Sequence, residues 1–169
     1  MDAWILIGMM GAGKSTIGHL LAEKTGREFF DTDKLIEKRL GRPISQFFQH
    51  YGEEAFRDHE TSIIKALTPA SIVVATGGGA ILRDENWNHF RSIGKLIYLR
   101  SEPDELIRRL QSSKKKRPLL NTENWESTLI AILESRKERY EQADLIVNVD
   151  DSGQDEIVER VLSKLSEQE

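Results

Sequence analysis

The sequence predicts a three-layer α/β/α fold on a parallel sheet, and three observations predict it. Short apolar runs rich in β-branched residues recur along the chain, hydrophobic throughout rather than alternating, as expected of strands covered on both faces. Helical patterns separate those runs, so strands and helices alternate. A glycine-rich turn ending in Lys14 and Ser15 joins the first run to the first helical pattern. That is the layout of doubly wound folds, which hold ligands at the carboxyl ends of their strands.

In chain order, the strand runs are Trp4-Ile5-Leu6-Ile7, a short one over residues 28–30, Ile72-Val73-Val74-Ala75, Leu96-Ile97-Tyr98-Leu99 and Leu145-Ile146-Val147, which makes five. Helices are expected over residues 14–24, 34–40, 53–67, 104–110, 125–140 and 155–165. Ser101 ahead of Pro103 marks one helix start, and Thr122 three residues ahead of Trp125 marks another. Residues 111–121 carry the run Ser112-Ser113-Lys114-Lys115-Lys116 and read as a mobile loop. No internal repeat or linker interrupts the pattern, so residues 1–169 read as one domain.

Composition narrows the function classes. At 169 residues and 38% hydrophobic content the chain can bury a sizeable core without cross-links, and with no Cys it has no disulfide, thiolate chemistry or Cys-based zinc site. A Cys-free chain is compatible with the cytosol. The apolar stretch over residues 3–7 is too short for a signal or membrane segment. Net charge is 24 basic minus 28 acidic residues, or −4, which argues against a nucleic-acid binder working by overall charge. Six bases and no acid nevertheless fall between Arg108 and Arg117, so a local anion-handling surface is expected on an acidic protein.

Gly8-Met9-Met10-Gly11-Ala12-Gly13-Lys14-Ser15 fits G-x-x-x-x-G-K-[ST] at each specified position, in the strand-to-helix context that the motif needs. Glycines let the loop wrap closely enough for backbone N–H groups to point at phosphate oxygens. Lys14 can then reach the β and γ phosphates, the Ser15 hydroxyl can ligate Mg²⁺, and the helix N-terminus adds partial positive charge.

The acceptor must be read from polar residues at other strand ends. Asp31-Thr32-Asp33 could serve a metal and a substrate hydroxyl, or could cap the following helix, and spacing alone does not choose. Arg57 and Glu60 share a helix face at i,i+3, for which a surface ion pair is the ordinary reading; His59 reads as solvated. Gly77-Gly78-Gly79 after the third strand implies close approach to the backbone by a ligand or another segment. Arg117 ends the basic loop and Arg136 sits within a helix, and each alone reads as a solvated charge.

Together, the phosphate loop, Asp31-x-Asp33, Arg57 with Glu60, the three glycines, Arg117-Pro-Leu-Leu and Arg136 resemble the shikimate kinase family, in order and over nearly the whole chain. The resemblance implies a P-loop kinase fold of the nucleoside monophosphate kinase type, with a shikimate-binding helical region at about residues 32–61 and a mobile lid at about residues 111–122. It implies transfer of the γ-phosphate of ATP to the 3-hydroxyl of shikimate with Mg²⁺, giving shikimate 3-phosphate and ADP on the route to aromatic amino acids. By the same resemblance, Gly11, Ala12, Gly13, Lys14, Ser15, Thr16, Arg109 and Arg117 hold ATP, with Arg108 the alternative to Arg109. Asp33, Arg57, Gly78, Gly79 and Arg136 hold shikimate, the two arginines on its carboxylate, while Glu60 orients Arg57. Ser15 and Asp31 serve Mg²⁺, and Lys14, Asp33 and Arg117 are the catalytic set. Thr32 departs from the family's Asp-Ser-Asp.

The partners expected are ATP and shikimate, with no nucleic acid and no membrane, for a cytoplasmic monomer. A related small-molecule kinase such as gluconate kinase, a nucleotide monophosphate kinase, and a nucleotide-dependent binding module are the rivals. The paired carboxylates with Arg57 and Arg136 favour a small polyhydroxy carboxylate over a base and ribose. The guanine-reading tetrapeptide Asn-Lys-x-Asp does not occur, which favours adenine.

Overall fold

The computed structural model describes residues 2–168. Five strands, β1 (Ala3–Ile7), β2 (Glu28–Asp31), β3 (Ile72–Ala75), β4 (Gly94–Arg100) and β5 (Leu145–Asn148), form one all-parallel sheet in the order β2-β3-β1-β4-β5. The central β1 lies between β3 and β4, so that Ile5 sits opposite both Val74 and Leu96. Burial follows from that order: every residue of β3 is buried, whereas the edge strand β5 alternates between buried and half-buried positions.

Helices α1 (Lys14–Thr25), α2 (Thr32–Leu40), α3 (Ile44–Lys65), α4 (Asp84–Ile93), α5 (Pro103–Gln111), α6 (Trp125–Tyr140) and α7 (Gln154–Ser166) connect the strands. The main core is a continuous cluster around the sheet, running from Ile5 and Val73 to Tyr140 and Val161. A second, smaller cluster of Ile36, Phe47 and Phe56 packs α2 against α3. The helical segment that follows β2 therefore holds itself together largely by its own apolar contacts.

Several boundaries differ from expectation. Helix α3 begins at Ile44 rather than at residue 53, because Ile44, Phe47 and Phe48 lie on one face and pack with Ile36 and Leu40. It kinks at Gly52, whose φ of 81° and ψ of 178° are open to glycine but not to the helix interior. Helix α4 was not anticipated, although Trp87, Phe90 and Ile93 recur at helical spacing behind Asp84 and Glu85. Neither expected cap forms. Glu102 precedes α5 while the Ser101 hydroxyl donates to Asp150 Oδ1 at 2.5 Å, and Asn124 precedes α6 while Thr122 lies outside the helix. Residues 113–117 have no regular structure, and Pro118–Leu120 form one turn of 3₁₀ helix. Among the described residues no helix is long and apolar enough to cross a membrane.

Candidate active site

The loop between β1 and α1 curls back over the sheet. Gly13 caps α1 in the left-handed region at φ 92°, and no side chain caps that end, so the first N–H groups of α1 stay open toward the cleft. Lys14 is buried against the loop, its Nζ donating to the carbonyls of Gly8 at 2.7 Å and Met9 at 2.9 Å. Burial lowers its pKa to about 8, against the pull of Asp33 and Asp31 and with the push of Arg136.

At the end of β2, both readings of the carboxylate pair hold at Asp31. Its Oδ1 accepts from the Lys34 N–H at 3.2 Å as the cap of α2, and its Oδ2 accepts from Ser15 Oγ at 2.6 Å. Thr32 is fully buried, and its hydroxyl oxygen accepts from the Gly77 N–H at 3.1 Å, fastening the glycine loop to α2. Asp33 points across the cleft. A Cβ on Gly77 would lie 2.7 Å from Asp33 Oδ1 and 3.0 Å from Glu60 Oε2, which is why that position has no side chain. Burial pushes the Asp33 carboxyl above the ordinary range, with Lys115 opposing.

The Arg57–Glu60 pair is not a surface ion pair. The side chains are 7% and 0% exposed, and Nη1 meets Oε1 at 2.7 Å, because the second half of α3 turns this face toward β3 and the glycine loop. Burial lifts the Glu60 carboxyl above its ordinary value, and Arg57 pulls it back. Glu53, one turn before Arg57, accepts from its Nη2 at 3.3 Å. Arg136 is also buried rather than solvated, beside Gly78. Arg57 Nε, Glu60 Oε2 and Arg136 Nη1 are buried without a hydrogen-bond partner. His59 is half-buried, its ring edge-on to Phe47 at 5.2 Å, rather than solvated.

On the other side of the phosphate loop, Arg109 donates to the carbonyls of Val149 at 2.9 Å and Ala12 at 3.3 Å, and to Glu105 at 2.9 Å. Among the described residues Arg108 hydrogen-bonds to Glu105 alone and stands in solvent at 71% exposure, whereas Arg109 lines the cleft. Arg117 donates to Ser113 Oγ at 3.2 Å and the Lys115 carbonyl at 3.0 Å. A single cavity of about 780 Å³ joins Lys14, Ser15, Asp31, Asp33, Arg57, Gly79, Arg109, Arg117 and Arg136. Its volume suits small-molecule ligands.

The described residues contain no group of three or more His, Cys, Asp or Glu side chains able to hold a metal. Ser15 and Asp31 still offer a hydroxyl and a carboxylate side by side, a set that fits Mg²⁺ completed by phosphate oxygens and water. Sequence reasoning passed over Thr32 as a loop anchor, Glu53 and Tyr140. Only their spacing hinted at them, Glu53 and Tyr140 each lying four residues from a site arginine.

The family model described as shikimate kinase matches residues 10–166. A shikimate kinase from Thermodesulfovibrio yellowstonii is 39% identical over 161 residues, covering 95% of this chain and 92% of that protein. The structure of shikimate kinase from Acinetobacter baumannii in complex with shikimate superposes with a TM-score of 0.95 at 34% identity, covering all of this chain and 95% of that one. A gluconokinase from Sinorhizobium meliloti shares the fold alone, with a TM-score of 0.59 at 20% identity over 99% of this chain and 93% of that one. With its phosphate loop facing two buried arginines across one cleft, the chain belongs to the shikimate kinase family of ATP-dependent phosphotransferases.

Proposed function

We propose that this chain transfers the γ-phosphoryl group of ATP to the 3-hydroxyl of shikimate. The observation that carries the reading is the pair Arg57 and Arg136, both buried, each with a nitrogen lacking a partner, on the wall of the cavity that begins at the phosphate loop. A buried N–H without a hydrogen-bond partner is costly, and a substrate carboxylate supplies the acceptors that Arg57 Nε and Arg136 Nη1 lack.

Gly11, Ala12, Gly13, Ser15 and Thr16 bind the phosphates through loop and helix N–H groups, and Lys14 leaves its two carbonyls to follow the charge. Arg109 bounds the nucleotide end. Arg57, held by Glu60, and Arg136 take the shikimate carboxylate, while the backbone of Gly78 and Gly79 lets the ring approach closely. A Cβ on Gly79 would collide with the Arg57 guanidinium. Asp33 orients the attacking hydroxyl and accepts its proton as the new O–P bond forms and the bond to the departing ADP breaks. Its burial-raised pKa brings it nearer the working pH of such a base.

Ser15 and Asp31 would hold Mg²⁺, which would supply charge neutralisation on the phosphates. Residues 111–122 act as a lid that excludes water, and Arg117 moves with it onto the transferring group. Residues 32–61 form the acceptor region within a single 1–169 unit. The working unit is a monomer, and it works in the cytoplasm, where ATP is supplied.

The test is ADP release from ATP with shikimate, gluconate and AMP offered separately. Release with shikimate alone is expected. Equal release with gluconate or AMP, or none with any acceptor, would overturn the reading.

A further inference from the structure

Tyr140 is fully buried at the end of α6, one helical turn beyond Arg136. Its hydroxyl donates to the Gly78 carbonyl at 2.7 Å and lies 3.9 Å from Met9 Sδ in the phosphate loop. Gly78 is a crossing point. A Cβ there would lie 3.3 Å from Arg136 Nη1 and 3.5 Å from the Met10 amide nitrogen. The Tyr140 ring stacks on Tyr98 with centroids 4.9 Å apart and planes 11° from parallel. Tyr98 in turn is in register with Ile7, the last residue of β1 before the phosphate loop.

Glycines carry no side chain that could anchor the 77–79 turn, so its position must come from outside. Thr32 holds the Gly77 N–H at 3.1 Å, Asn86 donates to the Ala80 carbonyl at 3.0 Å, and Tyr140 holds the Gly78 carbonyl between them. Of the three anchors, Tyr140 is the one that also touches the phosphate loop and sits beside an acceptor arginine. Burial raises its phenol pKa, against the pull of Arg136, so the hydroxyl keeps its proton and remains a donor at neutral pH.

We propose that Tyr140 is a positioning residue, which sets the distance between the phosphate loop and Arg136 by fixing the Gly78 carbonyl. The inference rests on the acceptor role of Arg136 proposed above. Because in-line transfer depends on the placement of both reactants, a small slackening of Gly78 reaches the shikimate side before the nucleotide side, which the α1 N–H groups hold independently.

The experiment is Tyr140→Phe, which keeps the ring and its stacking on Tyr98. Shikimate KM should rise about threefold to tenfold, the loss of one buried hydrogen bond, while ATP KM stays within about twofold. In an Arg136→Ala background the same substitution should add less than about twofold to shikimate KM, because the arginine it positions is gone. A normal loss in Arg136→Ala with unchanged shikimate KM in Tyr140→Phe overturns this proposal alone. Equal rises in both KM values, or full multiplication of the two substitutions, overturn it as well, since a purely structural role predicts those results. An Arg136→Ala enzyme with unchanged shikimate KM overturns the acceptor reading and this proposal together.

Discussion

Arg57 and Glu60 face each other one turn apart on α3, Nη1 to Oε1 at 2.7 Å, with side-chain exposures of 7% and 0%. Removing Glu60 leaves Arg57 buried with only the looser contact to Glu53 at 3.3 Å, and removing Arg57 leaves the Glu60 carboxylate buried and alone. Glu60→Ala should therefore destabilise the protein by about 3–5 kcal/mol and raise shikimate KM, while Glu60→Gln, which keeps an acceptor for Arg57, should cost less stability. Denaturant unfolding and initial rates check both. An Ala variant as stable as the parent would show that the pair is not energetically coupled.

Arg57→Ala and Arg136→Ala should each raise shikimate KM by about one to two decades with little change in ATP KM. A carboxylate that loses one of two buried guanidinium partners gives up a charge-assisted bond of roughly 1.5–3 kcal/mol. Steady-state kinetics with each substrate varied in turn decides the matter. Equal losses for both substrates would make the arginines structural.

Lys14 carries a pH signature, with its pKa lowered from 10.5 in the unfolded chain to about 8 in the fold. Between those values the unfolded chain holds a proton that the folded chain has released, so this group makes stability rise with pH from about 8 to 10.5. Lys14→Met should flatten that rise and lower turnover by orders of magnitude. Nucleotide phosphates raise the Lys14 pKa again, so ATP binding near pH 8, where the nucleotide's own phosphates are already ionised, should take up a fraction of a proton. Calorimetry in buffers of different ionisation enthalpy measures the uptake, which Lys14→Met should abolish.

Arg117→Ala should lower kcat at saturating ATP by about tenfold or more, with Lys115→Ala nearly silent and Arg117→Lys failing to rescue in full, because the planar fork is lost. If the cluster only steers ATP, the two alanine variants will instead share a small effect on kcat/KM that fades with salt as the screening length falls to about 8 Å. Rates at two ionic strengths separate these outcomes.

Local chemistry by itself determined the sheet and the phosphate loop. Four of the five strand runs are short and apolar throughout, and Gly8 to Ser15 needs only neighbouring residues to form its turn and open a helix. The identities of Asp31, Asp33, Arg57, Gly79 and Arg136 were likewise legible, though only as a set resembling one family. Taken singly, Arg57 read as half of a surface ion pair and Arg136 as a solvated charge, because charge and spacing say nothing about which side of a helix a fold will bury. Tertiary structure decided that. Packing of α3 and α6 beside the glycine loop put both guanidinium groups in one cleft and left polar atoms without partners there. It also gave Asp31 two hydrogen-bonding duties that spacing could not choose between, and set Arg109 rather than Arg108 against the phosphate loop. Thr32 and Tyr140 became anchors through contacts 45 and 62 residues away in the chain, a distance over which no local pattern carries information.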